Sequence, residues 1–275
     1  MTASHHPGDR NGLKFFTVNG GLDSPDIAYI LEKAEDIELG DAPAQITSCD
    51  HMKQYATHLR SLICKGIGAD EADKPLAGMR IMVDAGNGAG GFYASEVLAP
   101  LGADASPSMN LEPDGNFPVY VPNPESSVMI DSAAERVKQT KADFGIVFDT
   151  DVDRAGAVLP SDGGVIALDR NRLIALMTAI LVRQYGPITV VTDSITSTGL
   201  TDFINSLGCR HHRFKRGYRN VINEAKRLLA LEEAAKNAIF ANAILADAIF
   251  ANAIFAMETS GHGALRENYF LDDGA

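Results

Sequence analysis

The chain has 275 residues, 45% apolar and 22% charged, with 24 Lys+Arg against 36 Asp+Glu and a net charge of -12. At ~100–200 residues per domain this length suggests about two domains, and the acidity argues against a general nucleic-acid or anionic-membrane binder. No apolar run approaches the ~20 residues of a membrane helix, and Cys49, Cys64 and Cys209 are too scattered for a metal motif, which fits a reducing compartment.

Met1 to Pro7 lacks the build of a signal or transit peptide and reads as a polar loop, so the natural chain is expected to start further upstream. Leu13 to Val18 reads as a short strand ended by Asn19-Gly20-Gly21. Ser24 to Asp36 reads as a helix, with Ser24 at the N-cap and Pro25 in the first position. A second helix spans His51 to Lys65, and Ala69 to Pro75 reads as a surface linker. Met79 to Asp84 is a buried strand, followed by a glycine-rich turn and a helix from Phe92 to Leu101. Helix Val128 to Thr140 leads to strand Phe144 to Phe148, which runs into an acidic loop. A third region begins near Gly163, with helix Arg170 to Tyr185, strand Ile188 to Thr192, helix Leu200 to Leu207 and a helical segment Asn220 to Leu231. This alternation predicts consecutive three-layer α/β/α units with mixed, mostly parallel sheets, and ligands at the carboxyl ends of strands.

Residues 237–256 are four five-residue copies of an Asn/Asp-Ala-Ile-Phe/Leu-Ala unit. A five-residue step turns ~140° on a helix and swaps faces on a strand, so neither gives a clean amphipath. The block reads as a tandem expansion whose last copy serves as a strand entering Met257-Glu258.

The strongest chemical signal is Asp149-Thr150-Asp151-Val152-Asp153-Arg154. Carboxylates at i, i+2 and i+4 after a buried strand can converge on one hard cation, and oxygen-only ligands favour Mg²⁺, Mn²⁺ or Ca²⁺ over zinc. An EF-hand loop is excluded, because it needs a glycine and a closing glutamate where this chain has Arg154 and Pro160. Arg154 is placed to clamp a phosphate oxygen. The opening segment holds a hydroxyl, imidazoles and a lysine (Ser4, His5, His6, Lys14) in a turn-rich loop, a weak signal alone that gains weight beside a metal loop. Glu258-Thr259-Ser260-Gly261-His262 offers acceptors and donors for sugar hydroxyls, with an ordinary polar turn as the plain alternative. Phe214 to Arg219 is a basic stretch in an acidic protein. Gly86-Asn87-Gly88-Ala89-Gly90-Gly91 has dinucleotide-site spacing, but no second strand carries a ribose-binding acid behind it.

In this order the motifs resemble the α-D-phosphohexomutase family, in its plant-type and related bacterial branch. Thr2 to Pro7 with Asn11 to Lys14 resembles the phosphoserine loop, Asp149 to Arg154 the Mg²⁺ loop, and Glu258 to His262 the sugar-recognition loop. Turns at Gly115 to Pro118 and Pro122 to Glu125, and the stretches Arg213 to Tyr218 and Gly263 to Asn268, also fit the family pattern. His6 stands where the family usually carries Asn.

The resemblance implies a phosphohexomutase that moves a phosphoryl group between C1 and C6 of a glucose or mannose phosphate, through a phosphoserine and a bisphosphate intermediate. Ser4, His5, Lys14, Arg154 and His262 would be catalytic, and Lys215, Arg216, Glu258 and Ser260 would bind substrate. Ser4, Asp149, Asp151 and Asp153 would hold Mg²⁺. It divides the chain into 1–50 (remnant of a first domain), 51–162 (second domain) and 163–275 (third domain), with no fourth domain, and such a piece is expected to be poorly active alone. A phosphoglucosamine mutase or a non-catalytic sugar-phosphate or metal-binding remnant are the alternatives. The partners expected are hexose phosphate and bisphosphate, without nucleic acid or membrane, in the cytoplasm, or in a plastid stroma if a transit peptide precedes the chain.

Overall fold

A computed structural model describes residues 9–10, 12–17, 20–22, 24–38, 40, 45, 47–237 and 252–275. The amino-terminal part is sparse. β1 (Phe16–Thr17) pairs antiparallel with β2 (Gly20–Gly21), and α1 (Ser24–Glu35) follows with no buried residue. The expected strand at 13–18 is thus confined among the described residues to a two-residue hairpin arm. The helix already includes Ser24, the residue expected to cap it, and so starts one residue earlier than expected.

The first sheet has the order β3 (Ile81–Asp84), β4 (Phe144–Phe148), β5 (Ala155–Ser161) and β6 (Gly164–Leu168). α2 (His51–Ile67) covers one face and α3 (Ser127–Thr140) the other. The side chains sort by the two-residue period of a strand: Ile81 and Val83 pack with Ala56 and Leu59, whereas Met82 packs with Met129, Ala133 and Val137. Asp50 caps α2 by accepting from the Lys53 amide (3.2 Å), and Gly68, at φ 67°, closes it in the left-handed region.

The second sheet runs β10 (Gly263–Leu265), β9 (Phe255–Met257), β7 (Thr189–Asp193) and β8 (Arg210–Phe214). α4 (Arg170–Tyr185) and α5 (Thr198–Ser206) pack on one face around Val190, Phe255 and Met257. α6 (Tyr218–Asn237) packs on the other around Val191, Ala256 and Ala264. Each unit is therefore a three-layer α/β/α sandwich.

Four expectations change. The sheets are mixed but not mostly parallel: β3·β4, β7·β8 and β7·β9 are parallel, while β4·β5, β5·β6 and β9·β10 are antiparallel. The turn at 162–163 joins β5 to β6, so the first sheet continues to Leu168, past the point where a third region was expected to start. The expected helix from Phe92 to Leu101 is instead a short 3-10 turn (Ala89–Gly91) and a π-helix (Tyr93–Leu98) whose Ala99 amide reaches back to the Ala94 carbonyl. A Cβ on Gly91 would strike the Leu111 carbonyl, so the chain there follows a close backbone approach instead of an uninterrupted helix. β5, β6 and β8 carry weak strand signals: β5 contains Gly156 and Pro160, and β8 is a polar edge strand.

The last pentapeptide copy does form the strand entry, with Ala253, Ile254, Phe255 and Ala256 all buried. The copies before it lie outside the described residues, apart from Asn237 at the end of α6.

Candidate active site

The acidic loop leaves the carboxyl end of β4, turns at Val152 (φ 64°), and returns as β5. A β-branched residue in the left-handed region is strained, and here it lets Asp149, Asp151 and Asp153 bring one oxygen each within 4.8 Å of one another. The glycine-rich turn serves this loop from beneath: Ala89 donates to the Thr150 carbonyl (2.8 Å), and a Cβ on Gly88 would stand 2.7 Å from it. That is a packing role for glycines whose spacing resembles a dinucleotide site.

Asp149 is fully buried and tied twice to Arg154, from the backbone amide (3.1 Å) and Nε (2.9 Å). Arg154 Nη1 also donates to Asn123 Oδ1 at 3.3 Å. Burial and the neighbouring Asp153 charge nevertheless push the Asp149 carboxyl up to about 7. Burial opposes ionisation of Asp153 too, but His262, Asp149 and Lys14 outweigh it and hold that carboxyl well below its usual range. Lys14 places its ammonium 3.3 Å from Asp151 Oδ2 and 3.2 Å from Asp153 Oδ2, which joins the amino-terminal segment to a loop 137 residues away. Burial works against the Lys14 charge, and the two aspartates more than offset it, so its pKa is raised.

The hairpin of β9 and β10 carries the second loop. Glu258 Oε1 accepts from the Gly217 amide (2.9 Å) and Oε2 from the Ser260 hydroxyl (2.6 Å), and Ser260 Oγ lies 2.7 Å from His262 Nδ1. Thr259 donates to buried Asp193 at 2.6 Å, anchoring the loop to the end of β7. The Glu258 carboxylate thereby draws the basic stretch onto the hairpin, with Arg216 Nε at 3.9 Å and the Tyr218 ring stacked on His262 at 4.9 Å. Lys215 is exposed and makes no ion pair among the described residues.

The two loops meet. Arg154 and His262 form an antiparallel bridge, and His262 Nε2 stands 3.6 Å from Asp153 Oδ1 and 3.8 Å from Asp272 Oδ2. Burial disfavours the imidazolium, but these carboxylates prevail and raise the His262 pKa. Burial likewise pushes the Asp272 carboxyl up to about 7.

The carboxy-terminal segment locks the join. Gly274 donates to the Val152 carbonyl (2.9 Å), and a Cβ there would come within 3.0 Å of the Arg154 backbone. Tyr55 on α2 donates its hydroxyl to the Asp273 carboxylate at 2.7 Å. Sequence reasoning missed Asp272, Asp193 and Tyr218 as site residues. Asp272-Asp273-Gly274 has the composition of a turn, and only its tertiary position beside His262 gives it meaning.

Lys14, Asp149, Asp151, Asp153, Arg154, Ser260 and His262 therefore converge, with Glu258 and Arg216 behind them. Ser4 and His5 lie outside the described residues. The donor set suits a hard divalent cation: three carboxylates offer oxygen ligands at one point, and buried Asp153 Oδ1 makes no hydrogen bond.

Residues 53–163 match the family description "Phosphoglucomutase/phosphomannomutase, alpha/beta/alpha domain II", and residues 169–275 match domain III of the same family. A phosphomannomutase/phosphoglucomutase of Pseudomonas syringae pv. tomato is 28% identical over the whole chain, which covers 51% of that protein. A phosphoglucosamine mutase of Halorhodospira halophila is 32% identical over 81% of the chain, equal to 47% of its own length. The chain thus spans about half the length of the curated relatives it matches. In the crystal structure of a phosphoglucomutase/phosphomannomutase family protein from Burkholderia thailandensis, 99% of the chain superposes with a TM-score of 0.71 at 23% identity, over 52% of that chain. Two successive matched segments, on a shared fold and in the family's order, establish that the chain belongs to the phosphoglucomutase/phosphomannomutase family.

Proposed function

We propose that the protein is a phosphohexomutase acting on glucose or mannose phosphate, with phosphorylated Ser4 as donor. Residues 1–50 carry the serine loop, 51–168, to the end of β6, the metal loop and 169–275 the sugar loop. A hydroxyl oxygen of the hexose phosphate attacks the phosphoserine phosphorus. The new sugar O–P bond forms as the Ser4 O–P bond breaks; His262, neutral before the step, takes the hydroxyl proton, and the Lys14 ammonium gives one to the departing Ser4 oxygen. The bisphosphate then turns over in the site and returns its other phosphoryl group to Ser4.

The observation that carries this reading is the convergence of Lys14, Arg154 and His262 on the three-aspartate loop. It places cationic groups where charge on a transferring phosphoryl group is offset. Asp149, Asp151 and Asp153 would hold Mg²⁺ together with a phosphoserine oxygen. The bound metal would neutralise charge on the transferring group. Arg154, fixed by Asp149, orients that loop, and His5 beside Ser4 is a further proton carrier. Glu258 and Ser260 keep lone pairs for sugar hydroxyls, and Lys215 and Arg216, in the basic stretch held to Glu258 through Arg216 and the Gly217 amide, would serve as anion contacts. Free Cys49, Cys64 and Cys209 fit a reducing, cytoplasmic setting. No described helix is long and apolar enough to cross a membrane.

The test is a coupled assay of glucose, mannose and glucosamine phosphates with the chain, whose turnover alone is expected to be low, and with its Ser4→Ala variant. The variant loses all turnover while still binding sugar phosphate. Turnover that survives the substitution contradicts the mechanism, and turnover of glucosamine phosphate alone reassigns the substrate.

A further inference from the structure

Among the described strands, β6 is an edge of the first sheet and pairs only with β5. One residue fixes which of its backbone groups face outward. Pro160, opposite Val165, has no N–H, so that pair is not the doubly hydrogen-bonded kind. The two-residue turn at 162–163 agrees, because such a turn closes on a hydrogen-bonded pair, here Ser161 and Gly164. Antiparallel pairs alternate, so Gly164, Ile166 and Leu168 direct their N–H and C=O groups to β5. Val165 and Ala167 turn theirs to the open edge, where no described strand meets them.

Proteins guard such edges with lysine, proline or a bulge. This strand reads Gly-Val-Ile-Ala-Leu, without charge or proline. The Val165 and Ala167 side chains pack toward α3, whereas Ile166 lies on the other face and is 37% exposed. α4, which touches β6, exposes Leu176 and Ile180 one turn apart. The edge is also its own complement. About a two-fold axis through Ile166, Val165 meets the partner's Ala167 and Ala167 meets the partner's Val165, each in a hydrogen-bonded position. Ile166 meets the partner's Ile166 in the closer position without hydrogen bonds, and exposed Asp162 is carried toward the partner's Arg170, of opposite charge.

We propose that β6 is the docking edge for a second copy of this chain, which joins two four-stranded sheets into one across a two-fold axis. Complementarity to itself in hydrogen bonds, apolar contact and charge selects a second copy over a foreign strand. With five residues on each side, the dimer belongs to the weak, reversible class of interfaces below ~1,200 Å². It is independent of the mutase reading.

Sedimentation velocity from about 1 μM to about 1 mM should show monomer giving way to dimer. Ala167→Pro removes an outward N–H and leaves the bonds to β5 in place, and Ile166→Lys sets two ammonium groups face to face. Each should weaken association at least about tenfold, with circular dichroism showing both variants folded. A Cys49→Ser background removes the exposed thiol, and there Ile166→Cys should form an inter-chain disulfide when diamide oxidises the two thiols. Directly opposed residues without hydrogen bonds have Cα atoms ~4.5 Å apart, within disulfide reach. A chain that stays monomeric throughout, or a dimer that persists in both edge variants, overturns the proposal. A dimer that Ile166→Cys does not cross-link overturns the two-fold pairing through Ile166.

Discussion

The proposed metal loop (149–154) and the proposed sugar loop (258–262) lie a few ångströms apart and are built on opposite principles. In the sugar loop, both Glu258 oxygens already accept hydrogen bonds, Ser260 is bound on two sides, and Thr259 is pinned to Asp193. In the metal loop, three carboxylates crowd together, Asp149 is pushed up to about 7, and Lys14, Arg154 and His262 are the cationic partners seen among the described residues. One loop is organised by its own hydrogen bonds and holds a shape. The other stores electrostatic repulsion that a cation relieves. A phosphoryl-transfer site needs both, a rigid reader of sugar hydroxyls and a sink for phosphate charge.

The contrast breaks most sharply at the metal loop. Asp151→Asn and Asp153→Asn should each lower phosphoryl transfer by about a thousandfold, the scale of losing a preorganised electrostatic contact, and should weaken Mg²⁺ binding in calorimetry. Transfer that persists in both variants removes the loop from the chemistry. A smaller effect is expected across the join. Glu258→Gln should raise KM about tenfold with a lesser change in kcat, because the amide NH2 that replaces one carboxylate oxygen donates and cannot accept the hydrogen bond made there. A fall in kcat alone would give Glu258 a part in the chemical step.

The pH dependence sharpens the same contrast. Mg²⁺ held as proposed needs the Asp149 carboxyl ionised, so its affinity should rise between about pH 6 and pH 8 with proton release, read by calorimetry in buffers of different ionisation enthalpy. Asp149 and Asp272 are both raised, so the folded chain binds more protons than the unfolded one between their unfolded values near ~4 and about 7. Stability of the metal-free protein should therefore fall as pH rises through that window, and Mg²⁺ should flatten the fall. A rise over the same range contradicts the burial of these carboxyls. The smallest effect is at the strap: Tyr55→Phe keeps the ring against Phe92 but removes the hydrogen bond to Asp273, and should cost about 1 kcal/mol in denaturant unfolding.

The two loops were also legible to different degrees. Asp149, Asp151 and Asp153 announce themselves by spacing alone, because their convergence is local to one turn. Glu258, Ser260 and His262 are nearly as local. Lys14 beside Asp151, and Asp272 beside His262, depend on how distant segments pack, and no spacing within either segment reports that. Fold reading divides the same way. Helices such as α4, and strands β3 and β4, follow from periodicity and apolar runs, whereas Pro160 hides β5 and the charged residues of edge strand β8 hide a parallel pairing with β7. The antiparallel hairpin of β5 and β6 was lost with them, which is why a mostly parallel sheet was expected.

The most direct measurement is phosphopeptide mapping after incubation with glucose 1,6-bisphosphate and Mg²⁺. One phosphate should appear per chain, on Ser4, and a labelled phosphate there should pass to added hexose monophosphate. A chain that takes up no phosphate, or carries it elsewhere, contradicts the assignment of Ser4 as the phosphoryl donor.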